Sequence, residues 1–448
     1  MTLTSIEKIG EKIVQRALQL DAFAAEAFFT KNKDLTIDVS DQQVETMKLA
    51  EQQGVGIRVF RNQKLGFAFT SDLSDSALDQ AVQQAVANSE STEKDQYHML
   101  PGPVASYAPV SLYDPNISRT PIEEKIELAK EIERTARSID SRVKITERCS
   151  YVDSVYEVAV VNSLGVKGSY HGAYCGAYSL LVAEEKGESQ TGFEFQYKLK
   201  FNEIDPHYVG TEGAKKAVRM LGAKNIKTEE MPVVFDPYVA TNFLGLLAPS
   251  LAAESVQKGK SQLAGKIGEK VFSTLVTIVD DGTKSGGFMS SPFDGEGVPT
   301  QRTVLFDHGI LQSYLYNSYS AAKEGRESTG NGVRSSYMST PEIGTTNFYI
   351  DNGEISQDKM ITEINKGIYI TEVMGMHTAN PISGDFSLGA SGLLIEKGEL
   401  TRPVRGIAIA GNLFDLFSNI DRVGSNLTFF VGKGSPTLRI ARMAVSGS

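Results

Sequence analysis

The sequence contains few of the residues from which metal sites and disulfide frameworks are built. Its 448 residues include five histidines, two cysteines and no tryptophan. The two histidines closest to each other are His171 and His207, so a helical His-x-x-x-His zinc pair is excluded. Cys149 and Cys175 form neither a Cys-x-x-Cys motif nor a disulfide framework. Any metal site would have to collect single ligands from separate elements.

Long apolar runs and an excess of positive charge are also missing. No apolar stretch approaches the roughly 20 residues that span a bilayer, so we expect no membrane segment. The 45 Lys and Arg residues are outnumbered by 55 Asp and Glu residues, which gives a net charge of −10 and argues against a nucleic-acid partner. The N-terminus is polar and carries no signal-peptide pattern, so we expect a cytoplasmic protein.

The hydrophobic pattern predicts an α+β fold in four segments. Residues 1–90 combine a helix with alternating strands in an N-terminal α+β lobe, and residues 91–118 are interpreted as a linker or long loop. Residues 119–224 repeat the order helix, strands, helix and form a central α+β lobe. Residues 225–448 consist of short apolar runs separated by glycines, which predicts a mainly β, sheet-like or barrel-like C-terminal domain.

Helix starts are predicted from residues that can cap a helix, most of them followed by a proline suited to the first turn. These are Ser74, Thr120-Pro121, Asp205-Pro206 and Asp236-Pro237.

Common nucleotide-binding and serine-hydrolase motifs are not supported. Gly54-Val-Gly56 lacks the third glycine of a dinucleotide fingerprint, and the run from Gly259 to Ile267 does not have P-loop spacing. No Gly-x-Ser-x-Gly sequence is present.

Polar residues are concentrated among glycines in two segments of the C-terminal half. Because glycine lets backbone approach a ligand closely, these segments are candidates for a substrate cleft. The alternative, that Asp-Gly and Asn-Pro pairs only shape tight turns, stays open. The candidate residues are Asp294 and Glu296 in the first segment, and His377, Asn380, Asp385 and Ser387 in the second.

Several spaced motifs, in one order along essentially the whole chain, resemble those of the TldD/PmbA family, long labelled modulators of DNA gyrase. The motifs are Gly54-Val-Gly-Ile-Arg-Val59, Gly66-Phe-Ala-Phe-Thr-Ser-Asp-Leu-Ser74, Asn162-Ser-Leu-Gly165, Leu263-Ala-Gly-Lys-Ile-Gly-Glu269, Asp280-Asp281, Phe293-Asp-Gly-Glu-Gly-Val-Pro299, Ser328-Thr-Gly-Asn331, Gly384-Asp-Phe-Ser387, Pro403-Val404 and Ile409-Ala-Gly-Asn412.

The resemblance implies a cytoplasmic zinc metallopeptidase of two homologous subunits, which enclose a chamber and cut unfolded or modified peptides. In the family's catalytic member, a His-Glu-x-x-x-His sequence lies on a helix early in the C-terminal domain, and a late cysteine completes the metal shell. The corresponding helix here spans Asn242 to Glu254 without a histidine, and no cysteine follows Cys175. The chain therefore resembles the PmbA (TldE) branch, a subunit with no catalytic or metal-binding residues of its own, whose zinc is expected in the partner.

Three functions follow as hypotheses. The first is a non-catalytic subunit that pairs with a TldD-type subunit, or with itself when alone, and lines a peptide-binding chamber that residues 377–387 face. The second is a stand-alone adaptor that binds peptides or gyrase, protein to protein, without proteolysis. The third is an independent hydrolase that uses Asp294, Glu296 and His377.

Overall fold

The N-terminal half forms one antiparallel sheet covered by helices on one face. The structure, a computed structural model, describes residues 3–447. The helices of this half are α1 (Leu3–Gln19), α2 (Asp75–Glu90), α3 (Pro115–Arg119), α4 (Ile122–Ile139) and α5 (Pro206–Arg219). Its strands are β1 (Ala24–Ser40), β2 (Gln43–Arg61), β3 (Lys64–Thr70), β4 (Val143–Asn162), β5 (Lys167–Glu185) and β6 (Glu188–Lys198).

The six strands are ordered β3-β2-β1-β4-β5-β6, so both predicted N-terminal lobes contribute to a single sheet. Helices α1 and α2 bury their apolar sides on one half of the sheet, around Ile57 and Ala17. Helices α4 and α5 do the same on the other half, around Ile37 and Tyr151. The opposite face of the sheet is turned toward the C-terminal domain.

Two of the residues predicted to cap a helix do not donate or accept a capping hydrogen bond at its start. Ser74 stands at the predicted position before α2, but its side chain makes no capping hydrogen bond. Helix α4 begins at Ile122 with Pro121 in the cap position. Thr120 does not cap it because its hydroxyl donates to the Asn116 carbonyl, 2.8 Å away, and so closes the preceding helix. Asp205 caps α5, and Asp236 caps the helix Pro237–Leu251, as predicted.

The C-terminal half is mainly β, which confirms the predicted fold class. Its helices are α6 (Pro237–Leu251), α7 (Ala253–Gln257), α8 (Ser318–Glu324), α9 (Gln357–Thr362) and α10 (Leu413–Ser418). Its strands are β7 (Glu229–Phe235), β8 (Ile278–Asp281), β9 (Arg302–Asp307), β10 (Ile310–Leu311), β11 (Gly332–Val333), β12 (Glu342–Ile343), β13 (Phe348–Ile350), β14 (Lys366–Met374), β15 (Asp385–Glu396), β16 (Glu399–Asn412), β17 (Ile420–Val423), β18 (Thr428–Phe430), β19 (Lys433–Ser435) and β20 (Leu438–Ser446).

Strands β16, β15, β14, β7 and β20 form a five-stranded barrel, because β16 also pairs with β20. A second sheet has the order β10-β9-β8-β13-β19-β18. Helix α6 packs into the core of this domain, where the Phe243 ring stacks on Phe235 with centroids 4.8 Å apart. Of the helices in the described part of the chain, none is both long and apolar enough to cross a membrane.

Candidate functional site

A cleft with a volume of about 820 Å³ lies between the N-terminal sheet and the C-terminal domain. The end of β2 contributes Arg58 and Phe60 to one wall. Gly245 and Ala248 of α6 form part of another wall, and residues 340–345, which include β12, form a third. Residues of both domains therefore line this cleft.

A buried cluster of two glutamates and two arginines connects the domains at the base of the cleft. Arg58 Nη2 lies 2.8 Å from Glu26 Oε2 and 3.1 Å from Glu296 Oε1. Arg334 also pairs with Glu26, and its Nε donates to the Gly295 carbonyl at 2.8 Å. Burial alone would lower the pKa of Arg58, but the two carboxylates outweigh it and raise this pKa. The four charges balance, which offsets the cost of removing them from water.

Glu296 is one of the predicted cleft residues, and the structure places it at the cleft wall with its carboxylate fully used. Its Oε1 accepts from Arg58, and its Oε2 accepts from the Ser318 backbone N–H at 2.8 Å. The side chain is 1% exposed. Glu296 therefore positions Arg58 and α8, and it has no free oxygen with which to act as a general base.

Asp294, the second predicted residue of this segment, holds the neighbouring turn together. Its Oδ1 accepts from the N–H groups of Glu296 and Val298 at 2.9 and 3.0 Å, and its Oδ2 accepts from Gly332 at 2.7 Å. Burial, and then the nearby Glu296 carboxylate, raise the pKa of Asp294 to about 8 against the effect of these donors. Asp294 thus ties the turn to β11.

Residues 377–387 lie on the other side of α6, and His377, Asn380, Asp385 and Ser387 do not line the cleft. Asn380 Oδ1 accepts from the Ile382 and Ser383 N–H groups at 2.9 and 3.1 Å. This is the turn-forming role left open by the sequence.

Asp385 belongs to the same turn. It accepts from Asn412 Nδ2 at 3.0 Å and from Ser383 Oγ at 2.7 Å, and these hydrogen bonds lower the pKa of Asp385. His377 and Ser387 are exposed, the first in a short turn before β15 and the second within β15. The structure therefore does not bring His377 together with Asp294 and Glu296, so it provides no geometry for the independent hydrolase.

The side chains around α6 do not fit a zinc ion. The helix presents Gly245, Ala248 and Pro249 to the cleft, and a Cβ atom at position 245 would lie only 2.6 Å from Lys433 Nζ. An ammonium group thus lies against α6.

Two other side chains of metal-ligating type near the cleft, His98 and Glu254, already make contacts. The His98 ring stacks on Phe60 with centroids 5.5 Å apart, and burial lowers the pKa of His98. Glu254 pairs with Lys258 at 2.5 Å. Both cysteines are buried in the N-terminal core. Within residues 3–447, no three His, Cys, Asp or Glu side chains are grouped as metal ligands would be.

Three members of the buried cluster, Glu26, Arg58 and Arg334, were not predicted as site residues from the sequence. Two of them had a local signal, because Glu26 stands between alanines in the run Ala24–Phe29, and Arg58 stands between Ile57 and Val59. A charged residue inside an apolar strand is rarely fully buried unless it is paired. Arg334 had no comparable signal, since its surroundings are polar.

Comparison with known proteins gives a consistent assignment over the whole chain. Models of the PmbA/TldA metallopeptidase family match successively, with domain 1 at residues 25–89, the central domain at 115–221 and the C-terminal domain at 228–447.

Metalloprotease PmbA of Escherichia coli O157:H7 is 31% identical over 94% of this chain and 92% of its own length. The Metalloprotease TldD homolog of Haemophilus influenzae is 30% identical over 95% and 93% of the two chains. The structure of TldE from Thermococcus kodakarensis superimposes with a TM-score of 0.90 over 98% of this chain and 100% of its own, at 23% identity, and so shares the fold. This chain belongs to the PmbA/TldD metallopeptidase family.

Proposed function

We propose that this chain is the PmbA/TldE-type subunit of a two-subunit zinc peptidase that cuts unfolded or modified peptides, and that the zinc is held by a homologous TldD-type partner. The observation that carries the proposal is the surface of α6, which offers Gly245, Ala248 and Pro249 instead of metal ligands and bears the Lys433 ammonium. Membership of a metallopeptidase family supports the peptidase role of the assembly.

The contribution of this subunit is a wall that binds the peptide. In the described part of the chain, β12 pairs with β11 on one side only, through Ile343 opposite Gly332. The segment 340–345 lines the cleft, so an extended peptide can add to it by backbone hydrogen bonds. The bound zinc of the partner would polarise the scissile carbonyl and lower the pKa of its water.

The proposal also names the subunit with which this chain pairs. The partner is the homologous TldD-type subunit in a heterodimer, or a second copy of this chain when the homologue is missing, since homologous surfaces can form isologous pairs. The complex acts in the cytoplasm. His377 and Ser387 are exposed beyond the cleft of the single chain, and they are proposed to face the cleft that the two subunits share.

The test is reconstitution. The chain and a TldD-type homologue are purified separately and together, bound zinc is measured by atomic absorption, and cleavage of an unfolded protein is followed. We expect one zinc per heterodimer, no zinc in the lone chain, and cleavage only by the pair. One equivalent of zinc in the lone chain together with cleavage would overturn the proposal. Peptide binding without turnover by the pair would instead establish the adaptor hypothesis.

The role of residues 377–387 has its own test in the reconstituted pair. His377→Ala and Ser387→Ala remove two exposed side chains that do not hold the turn together. We expect slower peptide cleavage with zinc content unchanged. Cleavage at the wild-type rate by both variants would remove this segment from the proposed cleft.

A further inference from the structure

One face of β5 alternates glycine with tyrosine. Successive residues of a strand point to opposite faces, so every second residue shares a face. The residues on this face are Gly168, Tyr170, Gly172, Tyr174, Gly176 and Tyr178.

Each glycine is covered by an aromatic ring from another segment. A Cβ atom would lie 2.8 Å from the Phe293 ring at Gly168, 2.3 Å from the Tyr156 hydroxyl at Gly172, and 2.7 Å from the Tyr197 ring at Gly176. The glycines therefore leave room for rings to lie flat on the sheet, on the face toward the C-terminal domain.

The rings form two separate groups. In the first, Phe293 contacts Tyr170 with centroids 5.0 Å apart, and Tyr170 contacts Tyr156 at 6.4 Å. In the second, Phe288 contacts Tyr174 at 5.2 Å and Tyr197 at 6.0 Å. A cavity of about 330 Å³ lies between the groups, at the lower end of the size range of ligand pockets. Six rings line it, those of Phe28, Tyr156, Tyr170, Tyr174, Phe288 and Phe293.

The charged groups at this pocket already have partners, so the ligand must be recognised mainly by the rings. Arg334 stacks over the Phe28 ring at 4.6 Å, while its N–H groups bond to Glu26 and to backbone carbonyls. Asp294 is saturated by backbone donors. Aromatic walls of this kind favour an aromatic guest, which offers both ring edges and ring faces.

The pocket is next to the interdomain cleft. Thr345 lines both cavities. The buried charge cluster separates them, with Arg58 and Glu296 on the cleft side and Arg334 on the pocket side. A peptide that extends along residues 340–345 therefore passes the entrance of the pocket.

We propose that this aromatic pocket binds one aromatic side chain of a peptide lying along residues 340–345. The inference rests on the proposed function for the presence of a peptide in the cleft, but it does not depend on proteolysis or on a partner subunit. Binding to the lone chain tests the pocket, whereas cleavage by the reconstituted pair tests the function, so the two can fail separately.

The lack of tryptophan in the chain permits a direct assay. The peptide Ala-Ala-Trp-Ala-Ala is titrated with the lone chain, and its tryptophan is excited selectively. We expect a saturable shift of the emission to shorter wavelength. The Phe and Tyr versions of the peptide should compete, whereas the Leu and Ala versions should compete about tenfold less well. Equal competition by the Leu and Phe peptides would overturn the aromatic preference.

A variant that fills the pocket and a matched control variant outside it test where the peptide binds. Val158 on β4 lines the pocket, and Val152 is on the same face of the same strand but outside the pocket. We expect Val158→Phe to weaken binding about tenfold and Val152→Phe to leave it unchanged. Wild-type affinity in folded Val158→Phe would overturn the location.

A second variant keeps the location testable if Val158→Phe does not fold. Tyr174→Leu removes one ring of the wall and retains a shorter apolar side chain, and we expect weaker binding of the tryptophan peptide with the leucine peptide unaffected. Equal affinity of wild type and Tyr174→Leu for the tryptophan peptide would contradict the proposal. If N-acetyl-tryptophanamide binds as tightly as the pentapeptide, the peptide part of the proposal is wrong.

Discussion

Lys433 lies with its ammonium on the bare backbone of Gly245, so close that a Cβ atom at position 245 would be 2.6 Å from Nζ. Lys433 begins β19 and Gly245 is in the middle of α6. The contact therefore joins a strand of the second sheet to the helix at the cleft, and it places a positive charge against that helix.

Replacement of Gly245 by alanine should leave the fold intact. The three nearest atoms belong to the end of a flexible lysine, and alanine favours a helix over glycine by up to about 1 kcal/mol. We expect the free energy of unfolding, measured by urea denaturation, to be unchanged or slightly higher. Gly56→Ala is the contrasting variant because its Cβ would meet the Tyr337 backbone oxygen at 2.2 Å, and it should lose about 1–3 kcal/mol. A loss of that size in Gly245→Ala would contradict the interpretation.

Removal of Arg58 should be strongly destabilising. Arg58→Ala leaves the buried carboxylates of Glu26 and Glu296 without one of their two cations, and loss of one partner from a buried pair costs about 3–5 kcal/mol. The double variant Arg58→Ala with Glu296→Ala should be less destabilised than the sum of the single variants. Strict additivity would show that the two residues are not coupled.

The control variant is Lys215→Ala, which breaks an exposed ion pair with Glu212. It should change the free energy of unfolding by less than about 1 kcal/mol.

Asp294 should make stability fall as pH rises through the neutral range. Its pKa is about 8 in the folded chain against an ordinary value of 3.8, so between these pH values the folded state holds one more proton than the unfolded state. The carboxyl group therefore favours folding less as pH increases, by up to about 1.4 kcal/mol per pH unit.

Comparison with Asp294→Asn isolates this effect, because asparagine does not titrate. The stability of wild type relative to the variant, from denaturation between pH 5 and 8, should decrease with increasing pH. A relative stability that stays constant across this range would mean that the three backbone donors keep the pKa of Asp294 near or below its ordinary value instead.

Both thiols should be unreactive in the native chain. Burial raises the pKa of Cys175 to about 12 and raises the pKa of Cys149 further, and only a thiolate is an effective nucleophile. Ellman's reagent at pH 8 should detect no thiol in the folded chain and two in guanidinium chloride, since the structure has both cysteines free. A fast-reacting native thiol would show that one of these core positions opens to solvent.

Local chemistry predicted much of the secondary structure and little of the site. Asp205 and Asp236 cap their helices with their own side chains, so each start could be read from adjacent residues. Thr120 was misassigned because its hydroxyl had a competing acceptor in the preceding helix, at Asn116.

The pairing of Arg58 with Glu296 joins residues from different domains, and no local pattern specifies how two domains dock. Asp294 and Glu296 were predicted as substrate-cleft residues, and in the structure their carboxylates accept hydrogen bonds from backbone N–H groups and from Arg58. The turn around Asn380 satisfies its own polar groups, which a sequence of Asn, Ser and Asp cannot distinguish from a binding loop.

The cluster of Glu26, Arg58, Glu296 and Arg334 also restricts which domains can be combined. Each domain supplies one glutamate and one arginine, and the pairs Arg58–Glu296 and Arg334–Glu26 cross from one domain to the other. A chimera that joins halves of two diverged relatives would leave buried charges without these cross-domain partners unless both parents carry matching residues at these positions. The domains of this chain are thus expected to evolve as one unit, and recombination at the boundary between them would be selected against.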